Sequence, residues 1–355
     1  MTSSNSKLHG IKKRISYFLP FVLMALFLFF AFRNVNIGHS FDLILRAVPL
    51  WVIAFIFVFF FSHFIRAVRW KIMIKSIKPD ASLSNLFGTV MIGYGINCAV
   101  PRLGEVYRAM FLGKWENLSR TSLLGTIIIE RVIDIFTFVV SVLISLPIFR
   151  GNLFDEVTWL EPTIFFSFLF LAVLIIILIM IVKLREKLFS GIVNIIGKTS
   201  DKGAERLSYI FQMLAEGFSS LKGFTDYLLV FLLTAVMMLL YALSNYVGFF
   251  MLHMENMQVV TFGTAWILMT ISAFGVAIPT PGGTGSYHIF VIFVLVNLFN
   301  FSQEVSAAYA LLTHFITYVV FIFSTIMFIF IINKRRTKQG YKSENLFSVF
   351  KSNSE

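Results

Sequence analysis

The chain has 355 residues, of which 58% are hydrophobic and only 14% are charged. Soluble domains are about half apolar and about a quarter charged, so the composition excludes an ordinary soluble protein and indicates a polytopic membrane protein. The formal net charge of +12 comes from basic residues that flank apolar segments, as the positive-inside rule describes, and does not indicate a nucleic-acid-binding protein.

Six apolar segments reach the roughly 20 residues that a helix needs to cross the hydrocarbon core. The first follows a basic region, but no small-residue cleavage site precedes Arg33, so we predict a retained span and not a signal peptide. The sequence therefore predicts an all-α polytopic membrane protein with about six full transmembrane helices. These lie at about residues 15–32, 47–65, 121–149, 162–182, 227–251 and 304–332.

Two further apolar segments, at about residues 82–112 and 259–300, are broken by proline and glycine. We predict that both are re-entrant hairpins, and the two arms of the second segment, of about 17 and 15 residues, are short for full spans. Non-helical backbone at that depth is tolerated where protein covers it or water lines it. The alternative is that each segment crosses as a pair of short helices, which would give eight or more helices in all.

The distribution of Lys and Arg predicts the topology. If each broken segment enters and leaves on the same side, nearly all basic loops lie on one side of the membrane, which the positive-inside rule makes cytoplasmic. We therefore predict one integral membrane domain over residues 15–335 of the cell (inner or plasma) membrane, with cytoplasmic tails at 1–14 and 336–355. The basic segment 183–226 is predicted to be a cytoplasmic linker, either amphipathic on lipid head groups or a solvated loop.

The two broken segments share a pattern. Each ends its first arm with Ala-x-Pro, at Pro101 and Pro279, continues through a glycine and a tyrosine, and precedes a long span with polar groups. On the predicted topology they enter from opposite sides. Inverted repeats with broken helices are typical of secondary transporters, and such segments point to the substrate site. Chance similarity of a few identities is the alternative.

Three ionisable residues, Glu130, Arg131 and Asp134, lie inside the predicted span 121–149. Each costs roughly 2.5–3.5 kcal/mol at mid-bilayer, and such residues usually face a bundle interior or a watery path. Glu130 and Asp134 share one helical face, so one of them would hold a proton unless cations lie near. The sequence leaves open a proton-coupled path and a structural cluster of ion pairs.

The turns of the two hairpins supply the other candidate groups. Arg102, Glu105 and Arg108 lie at the first break, where arginine can bind a phosphate bidentately or can neutralise the carboxylates of the bundle. The second break carries a Gly-rich turn whose free amides could hold an anion, or whose glycines only permit a tight turn. The predicted substrate-binding residues are Arg102, Glu105, Arg108, Glu130, Arg131, Asp134, Pro281, Gly282, Gly283, Gly285, His288 and His314.

The two histidines of this set have two interpretations. His288 follows the Gly-rich turn and His314 lies in the last span, so they either pack in the bundle or handle protons. The segment from Arg66 to Lys71 ends the second span and has the composition of an interfacial anchor. No metal-ligand spacing, phosphate loop or nucleophile elbow occurs, so we predict no metal, cofactor or catalytic residue.

Four motifs together resemble a flippase-like family that includes the membrane region of lysylphosphatidylglycerol synthases. They are Arg66 to Lys71, PRLGEVYRA from Pro101, ERVID from Glu130 and PTPGG from Pro279. The resemblance covers about residues 15–335. It implies an inner-membrane protein that translocates a phospholipid, an aminoacyl-phospholipid or a polyprenyl-linked lipid.

Two features depart from that family. The chain ends at Glu355 without the cytoplasmic aminoacyl-transferase domain of the full synthases, so we do not expect it to make lysylphosphatidylglycerol. The family often carries a glutamate after the Gly-rich turn, where this chain has His288.

The sequence thus predicts a non-enzymatic lipid translocase whose partners are membrane lipids. One alternative is a membrane-embedded lipid-modifying enzyme with Glu130 or Asp134 as general base. Another is a non-transporting scaffold subunit for a separate lipid or glycan synthase.

Overall fold

The protein is helical wherever its structure is described. The computed structural model describes residues 18–149, 151, 153–183 and 223–350, and this part contains helices and turns but no strand. The all-α prediction is therefore confirmed. The predicted tail 1–14 and nearly all of the predicted linker 183–226 lie outside the described residues.

Twelve α-helices occur in the described part of the chain, together with short 3-10 and π segments. The 3-10 segments are Met254–Asn256, Pro281–Gly283 and Ser348–Phe350, and the π segment is Val294–Leu298. The α-helices are α1 Phe18–Phe32, α2 Ile37–Leu45, α3 Pro49–Met73, α4 Leu83–Ala99, α5 Gly104–Glu116, α6 Arg120–Ile148, α7 Leu153–Glu156, α8 Leu160–Lys183, α9 Phe224–Met251, α10 Phe262–Ala277, α11 Ser286–Phe293 and α12 Gln303–Lys338.

Several helices are suited to a membrane. Within the described ranges, four segments are long and apolar enough to cross one, namely α3, α9, α12 and Pro281–Leu298, and a fifth is added if α1 and α2, bent by 87°, form one span. Phe57, Phe231 and Phe323 on these helices are each at least 65% exposed, as lipid-facing residues are. Helices α1, α3, α6, α8, α9 and α12 coincide with the six predicted segments, and the number of full crossings stays a prediction.

Proline and glycine break the two segments where the sequence indicates. Helix α10 ends at Ala277 because Ile278, which precedes Pro279, is extended, and a residue before proline is disfavoured in the helical region. Helix α4 ends two residues before Pro101, and Arg102 there has a left-handed φ of 63°. The Asn97 side chain accepts a hydrogen bond from the Gly104 amide at 2.7 Å. Whether these segments are hairpins or helix pairs stays a prediction.

The described residues form two compact units. Unit 1 contains those up to Phe60 together with Tyr94–Gly104 and Leu240–Ser324, and unit 2 contains Phe61–Gly93, the described part of Glu105–Leu239, and the residues from Thr325 onward. Several long helices contribute residues to both units.

In unit 1 the two broken segments contact each other at their turns. The Arg102 guanidinium donates to the Ala277 carbonyl at 3.1 Å, and the Tyr318 hydroxyl lies 3.1 Å from the Cys98 carbonyl. The breaks are therefore joined through backbone carbonyls, which side-chain substitutions at Ala277 and Cys98 would leave in place.

In unit 2 the end of the chain folds back against helix α5. Lys114 pairs with Glu344 at 3.4 Å, and the Phe350 ring meets the Tyr107 ring edge-on at 5.0 Å. Arg336 lies over the Tyr341 ring and donates to the Trp115 carbonyl at 2.7 Å. The described residues after α12, up to Phe350, are thus part of the packed unit.

Gly275 lies where α10 packs against the backbone of α11. A Cβ at this position would lie 2.6 Å from the Ser286 carbonyl oxygen, and a backbone oxygen between two helices has little room to move. Gly275→Ala should therefore lower the free energy of unfolding by about 1–3 kcal/mol, the usual cost of overpacking. Unfolding in mixed micelles titrated with a denaturing detergent measures this difference.

The matched control is Gly38→Ala in α2. There the nearest atom is 3.4 Å from the added Cβ, so the change should be neutral or slightly stabilising. Equal unfolding curves for Gly275→Ala and wild type would contradict the packing that the structure shows.

Candidate functional site

The strongest concentration of charge lies in unit 2 around the Glu130 carboxylate on α6. Glu130 is fully buried. Its carboxylate accepts hydrogen bonds from Arg66 at 2.7 Å, from Arg108 at 2.9 Å and from Arg69 at 3.2 Å. Helices α3 and α5 therefore bring three guanidiniums to one carboxylate on α6.

Asp134, one helical turn after Glu130, completes this group. It accepts from Arg69 at 2.7 Å and from Arg66 at 2.9 Å. Arg131 lies 3.5 Å from Asp134 and 3.4 Å from Glu130. We call these six residues the ion cluster: Arg66, Arg69, Arg108, Glu130, Arg131 and Asp134.

Helical spacing explains how the cluster forms. Arg66 and Arg69 are three apart on α3, and Glu130 and Asp134 are four apart on α6, so each pair shares one face of its helix. Arg108 reaches the cluster from α5 and lies over the Trp70 ring, 4.2 Å from its centroid.

Side chains around the cluster fix its arginines. The Trp70 indole donates to the Thr126 hydroxyl, and Arg69 donates to the Thr234 hydroxyl, both at 3.0 Å. Trp70 and Arg69 are completely buried. The arginines are therefore held by packing and hydrogen bonds as well as by charge.

The ion cluster is not electrically balanced. Four guanidiniums face two carboxylates, so the cluster carries two more positive charges than negative ones. The Nε atoms of Arg69 and Arg108 are buried and have no hydrogen-bond partner among the described residues. Buried ions cost several kcal/mol each unless they are compensated, so the excess of two positive charges among these six residues is costly unless other groups balance it.

Exposure increases from one end of the cluster to the other. The Glu130 side chain is 0% exposed, that of Asp134 is 15% exposed and that of Arg131 is 38% exposed. Arg131 is therefore the member that an entering group would reach first.

The prediction that the end of the second span is an interfacial anchor was wrong. Arg66, Arg69 and Trp70 are buried, because α3 continues to Met73 and directs these residues into the unit. The sequence did contain a signal: two arginines three apart, within an uninterrupted helix, match two carboxylates four apart on another helix.

The Gly-rich turn lies in unit 1, where some of the amides that could hold an anion already donate to groups of the chain. The Gly283 amide donates to the Thr280 carbonyl and the Thr284 amide to the Pro281 carbonyl, at 3.1 and 2.9 Å. The Gly285 amide donates to Nδ1 of His288 at 3.3 Å. Three amides of the turn are thus occupied, which removes most of the anion cradle that the sequence indicated.

The glycines of the turn have a conformational role. Gly282 and Gly285 have φ values of +54° and +85°, which side-chain-bearing residues rarely adopt. A Cβ on Gly285 would also lie 2.7 Å from the Met24 carbonyl of α1. This part of the prediction, a tight turn that requires glycine, agrees with the geometry.

The predicted binding residues are divided between the two units. His288 and His314 come together beside the Gly-rich turn in unit 1, where the exposed Arg102 also lies. Arg108 joins Glu130, Arg131 and Asp134 in unit 2, and Glu105 lies in the first turn of α5. The described residues include no group of three or more His, Cys, Asp or Glu that could hold a metal ion.

Removal of the central carboxylate should be costly. Glu130→Gln keeps the shape but leaves the buried guanidiniums without their main partner, so the free energy of unfolding should fall by about 3–5 kcal/mol. A second change, Arg108→Gln, should restore part of the loss, because residues in one network are coupled. Detergent unfolding of the two single variants and the double variant measures this coupling.

Glu161→Gln is the control, since Glu161 is exposed in the first turn of α8 and its loss should cost less than about 1 kcal/mol. Additive effects of the Glu130 and Arg108 changes would contradict the network.

Comparison with known proteins agrees with this membrane architecture. The family model described as "Lysylphosphatidylglycerol synthase TM region" matches residues 17–324. The UPF0104 membrane protein MJ1595 of Methanocaldococcus jannaschii is 23% identical over 309 residues, which cover 84% of this chain and 90% of that protein. A UPF0104 membrane protein of Methanothermobacter thermautotrophicus is 30% identical over 105 residues, which cover 29% of this chain and 31% of that protein.

No solved structure matches the chain. The family model spans most of the chain, from the first described helix to the middle of α12, and includes both broken segments and the ion cluster. The chain is a multi-pass membrane protein and belongs to the family of the lysylphosphatidylglycerol synthase transmembrane region.

Proposed function

We propose that the protein is a lipid translocase that moves a phosphate-bearing lipid between membrane leaflets. The observation that carries the proposal is the ion cluster, in which four guanidiniums face two carboxylates within a membrane protein. A purely structural cluster needs only charge balance, whereas an excess of arginine suits an anionic ligand.

The chemistry of arginine supports a phosphate as that ligand. Its planar guanidinium donates two parallel hydrogen bonds to a phosphate. A phospholipid, an aminoacyl-phospholipid and a polyprenyl-linked lipid all carry such a group. The excess positive charge therefore supports the class that these lipids share and does not select among them.

Arg131 is the residue best placed to exchange partners. Its contacts to Glu130 and Asp134, at 3.4 and 3.5 Å, are the longest ion pairs of the cluster, and it is the most exposed member. A head group that arrives at Arg131 would therefore displace weak contacts, while the shorter pairs keep the other guanidiniums in position. When the lipid leaves, the two carboxylates can pair with Arg131 again. A translocator requires such reversible binding, because it must release its ligand.

The proposal extends to the setting of the protein. We place it in the cell membrane with both termini cytoplasmic, and we assign it no chemical change of the lipid, so that a separate lipid or glycan synthase would supply or use its substrate. Cysteines introduced at Ser4 and Ser354 in a Cys98→Ser background should react with an impermeant thiol reagent only after the cells are opened. Reaction in intact cells would contradict the orientation.

Lipid movement in proteoliposomes tests the function. Leaflet-resolved assays with zwitterionic, anionic, aminoacylated and polyprenyl-linked lipids should show fast movement of at least one phosphate-bearing class. Arg131→Ala should slow it at least about tenfold, since hydrogen bonds to charged groups contribute about 1.5–3 kcal/mol. Arg131→Lys should retain part of the rate, because the charge remains but the bidentate geometry is lost.

The control is Arg120→Ala, which removes the same residue type from the first turn of the same helix, outside the ion cluster. It should move lipid at the wild-type rate. Wild-type movement in folded Arg131→Ala would contradict the role of the cluster. Movement no faster than in empty liposomes, for every lipid, would favour the scaffold alternative, and a chemically altered lipid in cell extracts would favour the enzyme.

A further inference from the structure

A second buried polar group in unit 1 is formed by two histidines. His288 on α11 and His314 on α12 place their ring centroids 4.5 Å apart. His288 is 2% exposed and His314 is half-buried. The ion cluster does not include either residue.

Each imidazole ring forms a hydrogen bond with a backbone group of the same Gly-rich turn. The Gly285 amide donates to Nδ1 of His288 at 3.3 Å, and Nε2 of His314 lies 3.2 Å from the Gly282 carbonyl oxygen. An amide can only donate and a carbonyl can only accept. His288 therefore has an unprotonated Nδ1 and a neutral ring, and His314 carries its hydrogen on Nε2, which leaves Nδ1 of His314 open to a proton.

The described groups whose contacts with the two rings follow carry no formal charge. Phe32 of α1 meets His288 edge-on, Tyr287 of α11 contacts both rings, and Tyr318 of α12 contacts His314. The Tyr287 hydroxyl lies 3.1 Å from the Thr313 hydroxyl. Tyr287 and Tyr318 are the titratable groups among these contacts, and neither is a counter-ion. A charge on either imidazole is therefore uncompensated.

A proton has opposite consequences on the two rings. Added to Nδ1 of His314, it leaves the bond to the Gly282 carbonyl in place. Added to Nδ1 of His288, it sets a ring N–H against the Gly285 N–H, so that two donors face each other and the bond is lost. Because like charges so close disfavour each other, the pair accepts one proton at a time.

The turn transmits this change to the first broken segment. The Tyr318 hydroxyl lies 2.7 Å from the Pro281 carbonyl, 2.8 Å from the Thr284 hydroxyl and 3.1 Å from the Cys98 carbonyl. Gly285 has no room to move toward α1, since the Met24 carbonyl is close behind it. Loss of the bond to His288 therefore displaces the turn away from α1 and disturbs the contact between the two breaks.

We propose that His288 and His314 form a proton-binding site that couples proton uptake to displacement of the Gly-rich turn. The site binds the proton on Nδ1 of one imidazole, with the turn closed when it is on His314 and released when it is on His288. Its role in transport rests on the proposed lipid translocation, but proton binding and turn displacement do not.

Histidine-ring and glycine-amide NMR of the labelled full-length protein in lipid nanodiscs tests the site directly. At neutral pH the His288 ring should be the neutral form with its hydrogen on Nε2. On acidification the pair should take up a single proton, and the Gly285 amide signal should shift in proportion to the fraction of molecules in which His288 carries that proton. His288→Asn, which keeps an acceptor near Nδ1 but cannot be protonated, should abolish that shift, as His314→Gln should abolish the shared uptake.

His39→Gln is the matched control, since His39 is exposed on α2, and it should leave the shift unchanged. Independent titration of His288 and His314, absence of any uptake by the pair, or uptake without a change at Gly285 would each overturn the proposal.

Transport under an imposed pH gradient tests the coupling. Wild type and His39→Gln should respond to the gradient. The response, expressed relative to each variant's own rate without a gradient, should be lost in His288→Asn. A retained response in His288→Asn would overturn the coupling. Absence of transport in wild type would contradict the proposed function alone, because the NMR result stands without it.

Discussion

Compensation of the Glu130 carboxylate is the constraint on which unit 2 depends. An ionised group inside a membrane protein is tolerated when partners inside the protein replace water, and here two other helices, α3 and α5, supply them. Arg66 and Arg69 reach it from α3 and Arg108 from α5. Each of these arginines is itself buried. The ion pairs therefore stabilise the packing of α3, α5 and α6, and this packing keeps the charged groups away from water.

Unit 1 solves a different problem, because its Gly-rich turn is non-helical backbone, and a membrane protein must satisfy such backbone groups internally wherever lipid excludes water. The turn satisfies its amides internally and through His288, and side chains of α12 cover its carbonyls. These bonds are neutral, unlike those of the ion cluster. Neutral hydrogen bonds to imidazole depend on which nitrogen carries the hydrogen, which is why we propose a response to protons for this turn and not for the cluster of guanidiniums.

The proposed anion binding rests on the excess of arginine within the ion cluster. Two carboxylates would be balanced by two of the four guanidiniums, and burial of further cations raises the desolvation cost without a structural benefit. An anionic lipid head group would supply the missing charge only while it is bound. The graded exposure from Glu130 to Arg131 then gives the head group an accessible first contact and a rigid interior, a combination that suits passage and not permanent binding.

The sequence alone was sufficient to predict the membrane class, the helical segments, the two breaks and the shared face of Glu130 and Asp134. These properties are local: apolar length, proline and glycine positions and the 3.6-residue period depend on neighbours in the chain. Three amides of the Gly-rich turn donate to acceptors nearby in the chain. The pairing of side chains and backbone groups that lie far apart in the chain follows from the tertiary structure. Arg66 lies 64 residues from Glu130 in the chain. Arg102 and Arg108 belong to different units although only six positions separate them. Such partners follow from the packing of distant helices, which no local pattern specifies.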